Sequence, residues 1–320
     1  MKLRRAKGGN MKNNLFGKSL VTVESLKRED IESIFKRADE MKSLVETQGG
    51  DERLKGKIMG ALFFEPSSRT FSSFVAAMQR IGGGIIPLSG MGSTSAAKGE
   101  TLEDTAKVFS CYADVLVMRH GEPGSVAKVA KAATVPVINA GDGINEHPTQ
   151  ALLDGYTISS ELGKLDNIHL AFFGEIAHYR PVNSLAKLLS LFKNVHLSFV
   201  SAPEVKLQDG VRRYLVSHNI KFEEIENIEN VIGKIDVLYV TRVKKEYMSD
   251  ELYQKIQGKY VVDKKLISHM KKESLIMHPL PRIGEIAVEV DKDRRAVYLN
   301  KQMRNGMYTR MALLDMILRK

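Results

Sequence analysis

The residues best suited to chemistry lie in three short runs: Ser67-Ser68-Arg69-Thr70, His147-Pro148-Thr149-Gln150 and His278-Pro279-Leu280-Pro281-Arg282. The first sits inside Leu62 to Phe74, which reads as a buried strand that stops at Pro66 and turns at once into a helix with its inward face at Phe71, Phe74, Val75, Met78 and Ile81. Ser67 or Ser68 caps that helix. Free backbone N–H groups, two hydroxyls, Arg69 and Thr70 then surround the positive end of the helix dipole, which is an anion site. On these residues alone an ordinary capped helix with a surface arginine is an equal reading, and the remaining strand ends decide between them.

In a parallel sheet, ligands bind beyond the C-terminal strand ends. Here those ends are cationic: Arg69, then Arg119-His120, then Asn139 to Gln150 with His147, then Thr241-Arg242-Val243-Lys244, then His278 to Arg282. Any one such arginine is usually a solvated charge. Several gathered at one edge repel each other unless an anion neutralises them, so the expected ligand is polyanionic. No Walker sequence or dinucleotide fingerprint is present, because Gly82-Gly83-Gly84 precedes a strand and lacks the spacing. The eight His and one Cys form no zinc-ligand pattern, so no metal is expected.

The elements that must carry these residues alternate. Helix-spaced apolar positions run from Ser25 to about Glu46 and stop at Gly49-Gly50. After the Ser67 helix come a strand ending at Leu88 and a loop poor in large side chains, Ser89 to Gly99. A helix over about 100–112, a strand over 114–118, a helix begun by Pro123 and a strand over 135–138 follow. Pro148 suits the first turn of a helix reaching about Leu162. A second series has strands near 168–173, 195–200, 235–240 and 274–277, with helices over about 181–191 and near Val211; a last helix covers about 300–318. This pattern predicts an α/β protein of two domains, each a parallel β-sheet flanked by helices and joined by interdomain helices. The expected division is 1–147 for the first domain and 148–299 for the second, with the helix of 300–320 folding back on the first.

A chain of 320 residues, 43% hydrophobic, can bury two such cores. The single cysteine, Cys111, excludes an internal disulfide and fits a reducing, cytoplasmic setting; its neighbours Phe109 and Tyr112 suggest a core thiol. Net charge is +10, but Lys2, Arg4, Arg5, Lys7 and Lys12 form an acid-free start, and Met11 offers a second initiation point. No apolar run follows that start or approaches membrane-spanning length, so neither a secretion signal nor a membrane span is expected. Elsewhere bases interleave with acids and no zinc finger or aromatic RNA-binding motif is visible, which argues against a nucleic-acid partner.

The three runs, in this order and joined by Lys98-Gly99-Glu100-Thr101, Val117 to His120 and Asn139 to Gly143, resemble the signatures of the aspartate and ornithine carbamoyltransferases from about residue 15 to the C-terminus. The ornithine branch has Cys after the His of the third run; Pro279 is similar to the aspartate branch. The resemblance implies transfer of the carbamoyl group of carbamoyl phosphate to the amine of L-aspartate, in pyrimidine biosynthesis, without metal or organic cofactor. It implies that Ser67, Ser68, Arg69 and Thr70 hold the phosphate, that Arg119 bridges phosphate and carbamoyl oxygen, and that His147 donates to that oxygen as charge grows on it. Gln150 and the carbonyls of Leu280 and Pro281 would accept from the carbamoyl NH₂, and Arg180 and Arg242 would bind the aspartate carboxylates.

Lys98, with a hydroxyl from Thr94 or Ser95, matches a loop that enters the neighbouring subunit's site, which implies a homotrimer with shared active sites; a regulatory chain is a further possible partner. Ser68 stands where Thr is common, Gly284 replaces an acid before Glu285, and Lys244 occupies the position of a Gln near the aspartate amine. The competing expectations are a carbamoyltransferase for another amino acceptor and an inactive scaffold subunit of the same fold.

Overall fold

The computed structural model describes residues 13–90 and 99–320; the expected loop residues Thr94, Ser95 and Lys98, and the second start at Met11, lie outside them. The described chain forms ten helices, α1 (Arg28–Gln48), α2 (Ser68–Arg80), α3 (Leu102–Ser110), α4 (Ser125–Ala132), α5 (Pro148–Leu162), α6 (Arg180–Leu189), α7 (Asp209–Ser217), α8 (Asp250–Ile256), α9 (Lys264–Ser268) and α10 (Lys301–Leu318). Its strands are β1 (Ile58–Phe63), β2 (Gly84–Ser89), β3 (Val115–His120), β4 (Val137–Asp142), β5 (His169–Phe173), β6 (His196–Val200), β7 (Lys221–Ile225), β8 (Val237–Val240) and β9 (Leu275–Met277).

They make two sheets, ordered β2-β1-β3-β4 and β7-β6-β5-β8-β9, parallel throughout. The α/β architecture of two parallel sheets is therefore as expected. In each sheet the strand that opens the series, β1 or β5, lies inside and is flanked on both sides. The order reverses at those strands, leaving crevices beyond their C-terminal ends.

Local chemistry sets the boundaries. Gly49 ends α1 in the left-handed conformation (φ 80°), and Thr101, Ser249 and Asp263 cap α3, α8 and α9 with side-chain oxygens. Pro148 opens α5, which spans the expected residues, and nearly all of the helix is buried. The reason is its place between the sheets, where it packs on β4, α6 and α10. Helix α10 lies against α1, α2 and α5, buried on every side from Tyr308 to Leu318. One continuous apolar core runs through these helices from Met59 and Val117 of the first sheet to Phe172 and Leu197 of the second.

Strand β7, helix α8 and helix α9 are additions to the sequence expectation. Lys221-Phe222-Glu223-Glu224-Ile225 is an edge strand with no fully buried position, so it lacks the apolar run by which the inner strands are recognised. Cys111 is a correction: it is exposed, because it sits at the C-terminal cap of α3 where the helix leaves the sheet, with Tyr112 also facing outward.

Candidate functional site

A cleft of about 900 Å³ opens between the C-terminal ends of the two sheets, lined by Ser67 to Thr70, Arg119, His147, Gln150, Arg180, Arg242, Lys244, Leu280 and Pro281. The described members of the expected site are thus brought together from residues more than two hundred positions apart. Arg282 and His120 are not among them. Arg282 pairs with Asp291 and the Tyr298 hydroxyl, and the His120 ring accepts from the Glu122 N–H and faces Ser125.

Ser67 is the N-cap of α2, as one of the two expected positions, but its side chain makes no capping bond. Among the described residues the start of this helix therefore has no side-chain cap, and it lines the cleft, the arrangement an anion site requires. Arg69 stands exposed at this helix start on the cleft wall, and partial desolvation, with Arg242 nearby and against an opposing effect of Tyr179, lowers its pKa.

Behind it lies a pair of arginines held by one carboxylate. Arg119 donates to Glu65 Oε1 (3.1 Å), while Arg180 donates to Glu65 Oε2 (3.2 Å) and to the Gly143 carbonyl (2.6 Å). Burial, and then the charge of Arg180, pushes the Arg119 pKa down to about 10; its buried Nε has no partner within the described residues. Gly141, at φ +126°, permits the crowding, since a Cβ there would stand 3.0 Å from Arg180 Cζ and 3.3 Å from Arg119 Nη1. Two guanidinium groups this close, with one carboxylate between them, retain a positive excess that an anion would relieve.

His147 caps α5 through its backbone, its N–H donating to Ser184 Oγ (2.9 Å), and Thr149 Oγ1 lies 3.3 Å from Nδ1. Burial, followed by the charges of Arg180, Arg119 and Arg310, holds its pKa well below the ordinary imidazole value. The ring is neutral at pH 7, and in the tautomer where the Thr149 hydroxyl donates to Nδ1 the proton lies on Nε2. That tautomer makes His147, on the cleft wall, a hydrogen-bond donor and not a base. Gln150 gives its amide N–H to Asp154 Oδ1 (3.0 Å), so its own carbonyl oxygen is turned the other way.

The third run closes the cleft from the second sheet. Leu280 holds a left-handed backbone (φ 59°) before a cis Leu280–Pro281 bond. Its N–H donates to His278 Nδ1 (2.8 Å), His278 Nε2 meets Glu285 Oε1 (2.7 Å), and Glu285 Oε2 accepts the Ile283 N–H (2.7 Å). Glu285 thereby fixes the loop in which Leu280 and Pro281 line the cleft. The acid missing at Gly284 does not leave Arg242 without an anchor, because Arg242 donates to Glu246 Oε1 (2.6 Å).

Lys244 does not extend to solvent. Its ammonium donates to the His178 carbonyl (2.8 Å) and sits 4.6 Å from the Tyr179 ring centroid and 5.0 Å from that of Tyr247. Burial lowers its pKa to about 8, against a smaller opposing effect of Glu175.

Sequence reasoning assigned no role to Glu65, Tyr179, Glu246 or Arg310, all of which line the cleft. Glu65 had a usable signal, being an acid directly after a strand among cationic strand ends. Arg310 had none: it is a charge inside an apolar helical pattern, and only the packing shows it buried over the Phe74 ring (5.1 Å) with its Nε unpartnered.

Two family models match the chain: the aspartate/ornithine carbamoyltransferase carbamoyl-P binding domain over residues 18–160, and the Asp/Orn binding domain over 166–317. The chain belongs to the aspartate/ornithine carbamoyltransferase family. Among relatives in that family, the chloroplastic aspartate carbamoyltransferase of Arabidopsis thaliana is 48% identical over 91% of this chain and 75% of its own. The aspartate carbamoyltransferase catalytic subunit of Methanobrevibacter smithii is 43% identical over 94% of this chain and 95% of its own. A solved carbamoyltransferase structure, that of aspartate transcarbamoylase from Trypanosoma cruzi in complex with carbamoyl phosphate and aspartate, superposes with a TM-score of 0.90 at 37% identity, covering 96% of this chain and 98% of that one.

Proposed function

We infer that this chain is an aspartate carbamoyltransferase, which transfers the carbamoyl group of carbamoyl phosphate to the amine of L-aspartate and releases phosphate, a step of pyrimidine biosynthesis. The observation that carries the reading is the cleft itself, which Arg69, Arg119, Arg180 and Arg242 line together with a neutral, buried His147 and the open start of α2. The family assignment and the T. cruzi complex support it.

In this reading the phosphate lies at the α2 N-terminus against Ser67, Ser68, Arg69 and Thr70, and Arg119 reaches both phosphate and carbamoyl oxygen. Attack by the neutral amine builds negative charge on that oxygen, and His147 Nε2–H strengthens its hydrogen bond as the charge grows. Gln150 and the Leu280 and Pro281 carbonyls accept from the carbamoyl NH₂. Arg180 and Arg242 take the aspartate carboxylates, with Lys98 completing the site from a neighbouring subunit of a homotrimer. Glu65 is a positioning residue that keeps Arg119 and Arg180 side by side. A cytoplasmic setting is the proposed location, on the strength of the single unpaired cysteine.

One observation favours a second reading. The ammonium of Lys244 at the acceptor end of the cleft alters what the acceptor meets, so another amino acid is the alternative substrate. Purified protein given carbamoyl phosphate and single amino acids separates the readings by phosphate release. Release with aspartate supports the first and release with another acceptor the second; none with any acceptor overturns both.

A further inference from the structure

The far end of the second sheet holds a cluster that the carbamoyl-transfer chemistry does not use. Parallel pairing sets His169 of β5 beside His196 of β6 and Lys221 of β7, and two residues on, Ala171 beside Ser198 and Glu223. Residues two apart on a strand share a face, so His169, His196, Ser198 and Glu223 project together. Leu170, Leu197 and Phe222 point the other way, into or against the main core. The two histidines open β5 and β6, and Ser198 and Glu223 lie in the middle of β6 and β7. The cleft lies past the strand ends, roughly 13 Å from the histidines along a five-residue strand at about 3.3 Å per residue.

We propose that His169, His196 and Glu223 form a binding site for a divalent transition-metal ion such as zinc, bridging β5, β6 and the edge strand β7. One ligand atom from each lies within 4.8 Å of the others. His196 Nε2 is 3.3 Å from Glu223 Oε1, and His169 Nε2 is 4.0 Å from the same oxygen. Ligands bonded tetrahedrally at about 2.0–2.1 Å stand roughly 3.4 Å apart, so the His196–Glu223 pair already has the spacing, and the His169 ring must swing out of its stack on His196 to bring its lone pair to the same point.

The two imidazoles are stacked, centroids 4.0 Å apart at 17°, so ion binding would splay the rings until their in-plane lone pairs converge.

Ser198 explains how the cluster is satisfied by the protein alone. Its hydroxyl donates to Glu223 Oε1 (2.7 Å), so it accepts from His169 Nε2–H (2.7 Å). Metal binding moves that proton to Nδ1 of the same ring, with no net release. Two imidazoles and one carboxylate select zinc, cobalt, nickel or copper over magnesium and calcium, and leave a fourth position for water. The consequence is structural: the ion ties an edge strand, held on one side only, to the sheet centre.

The test is a titration of tag-free, chelator-stripped protein with zinc(II) and, in parallel, cobalt(II). One ion per chain is expected, with the visible absorption of tetrahedral cobalt, two imidazole ligands in the zinc X-ray absorption spectrum, and a Tm raised by about 5 °C at ~100-fold excess over Kd. Magnesium should produce none of these. His196→Gln and Glu223→Gln should each abolish stoichiometric binding while leaving the carbamoyl-transfer assay unchanged. Failure of the unaltered protein to bind, a bound ion without two imidazoles, or binding that survives both substitutions overturns the proposal.

Discussion

His147 owes its proposed part to its surroundings. Three buried guanidinium groups and the loss of water make a protonated ring costly, so a base is not what this position supplies. His147→Ala is expected to lower kcat by on the order of 10²–10³ and to leave carbamoyl phosphate affinity little changed, because the lost hydrogen bond matters most as the oxyanion forms. A weakened affinity at unchanged kcat would mark it as a binding group only. Lys244 is the other residue whose charge state is set locally. With a pKa near 8 it is cationic below that pH and neutral above it. A cation beside the acceptor lowers the pKa of the aspartate amine and weakens capture of its protonated form. Lys244→Gln is therefore expected to lower the aspartate KM at neutral pH and to move the acid limb of the rate profile to higher pH. The two proteins should converge above about pH 9, where the lysine is uncharged. Aspartate kinetics across that range check it, and a difference that persists undiminished in alkali would sink the idea.

At the level of elements, α5 is the piece that joins the sheets, and a buried acid marks the joint. Asp154 Oδ1 accepts from Gln150 on the same helix and Gln302 of α10, and Oδ2 accepts from Tyr239 of β8. Burial outweighs these bonds and raises the Asp154 pKa to about 7. Between the ordinary carboxylate value and about 7 the folded protein holds a proton that the unfolded chain does not. The associated stability is full below that window and is lost as pH rises through about 7. An asparagine keeps one oxygen for the two amides and offers an N–H to Tyr239, so Asp154→Asn should fold. The difference in Tm between the two proteins should move in favour of the asparagine variant from about pH 5 to pH 8. Comparing the pair removes the opposing contribution of His147, whose depressed pKa makes stability fall as pH drops below about 6.5. A difference in Tm that stays flat across the range would show that Asp154 is ionised throughout.

For the whole molecule, the decisive question is whether one chain completes its own site. The described cleft contains every proposed substrate-binding residue except Lys98. In a trimer with shared sites, refolding an equal mixture of Lys98→Ala and His147→Ala chains should restore about a quarter of the wild-type sites, because each working site needs an intact residue from each of two neighbours. Activity assays on mixed trimers verified by mass provide the measurement. No recovery would assign Lys98 to the site of its own chain.

The sequence by itself determined the alternation of strands and helices, the start of α5 at Pro148, the gathering of cations at strand ends and the runs that carry the family likeness. These are local properties. Apolar periodicity reports which face of a segment is buried, and capping residues report where it begins and ends. Tertiary structure decided the partnerships. Glu65 meets Arg119 and Arg180 across 54 and 115 positions, distances that close only because β1 lies beside β3 and the two sheets face one cleft. It also separated Arg242, which faces the cleft, from Arg282, which pairs with Asp291, although both follow a strand in the sequence. Strand β7 and its Glu223 were invisible for the same reason: an edge strand needs little apolar surface of its own, and its register against β6 exists only once the sheet is assembled.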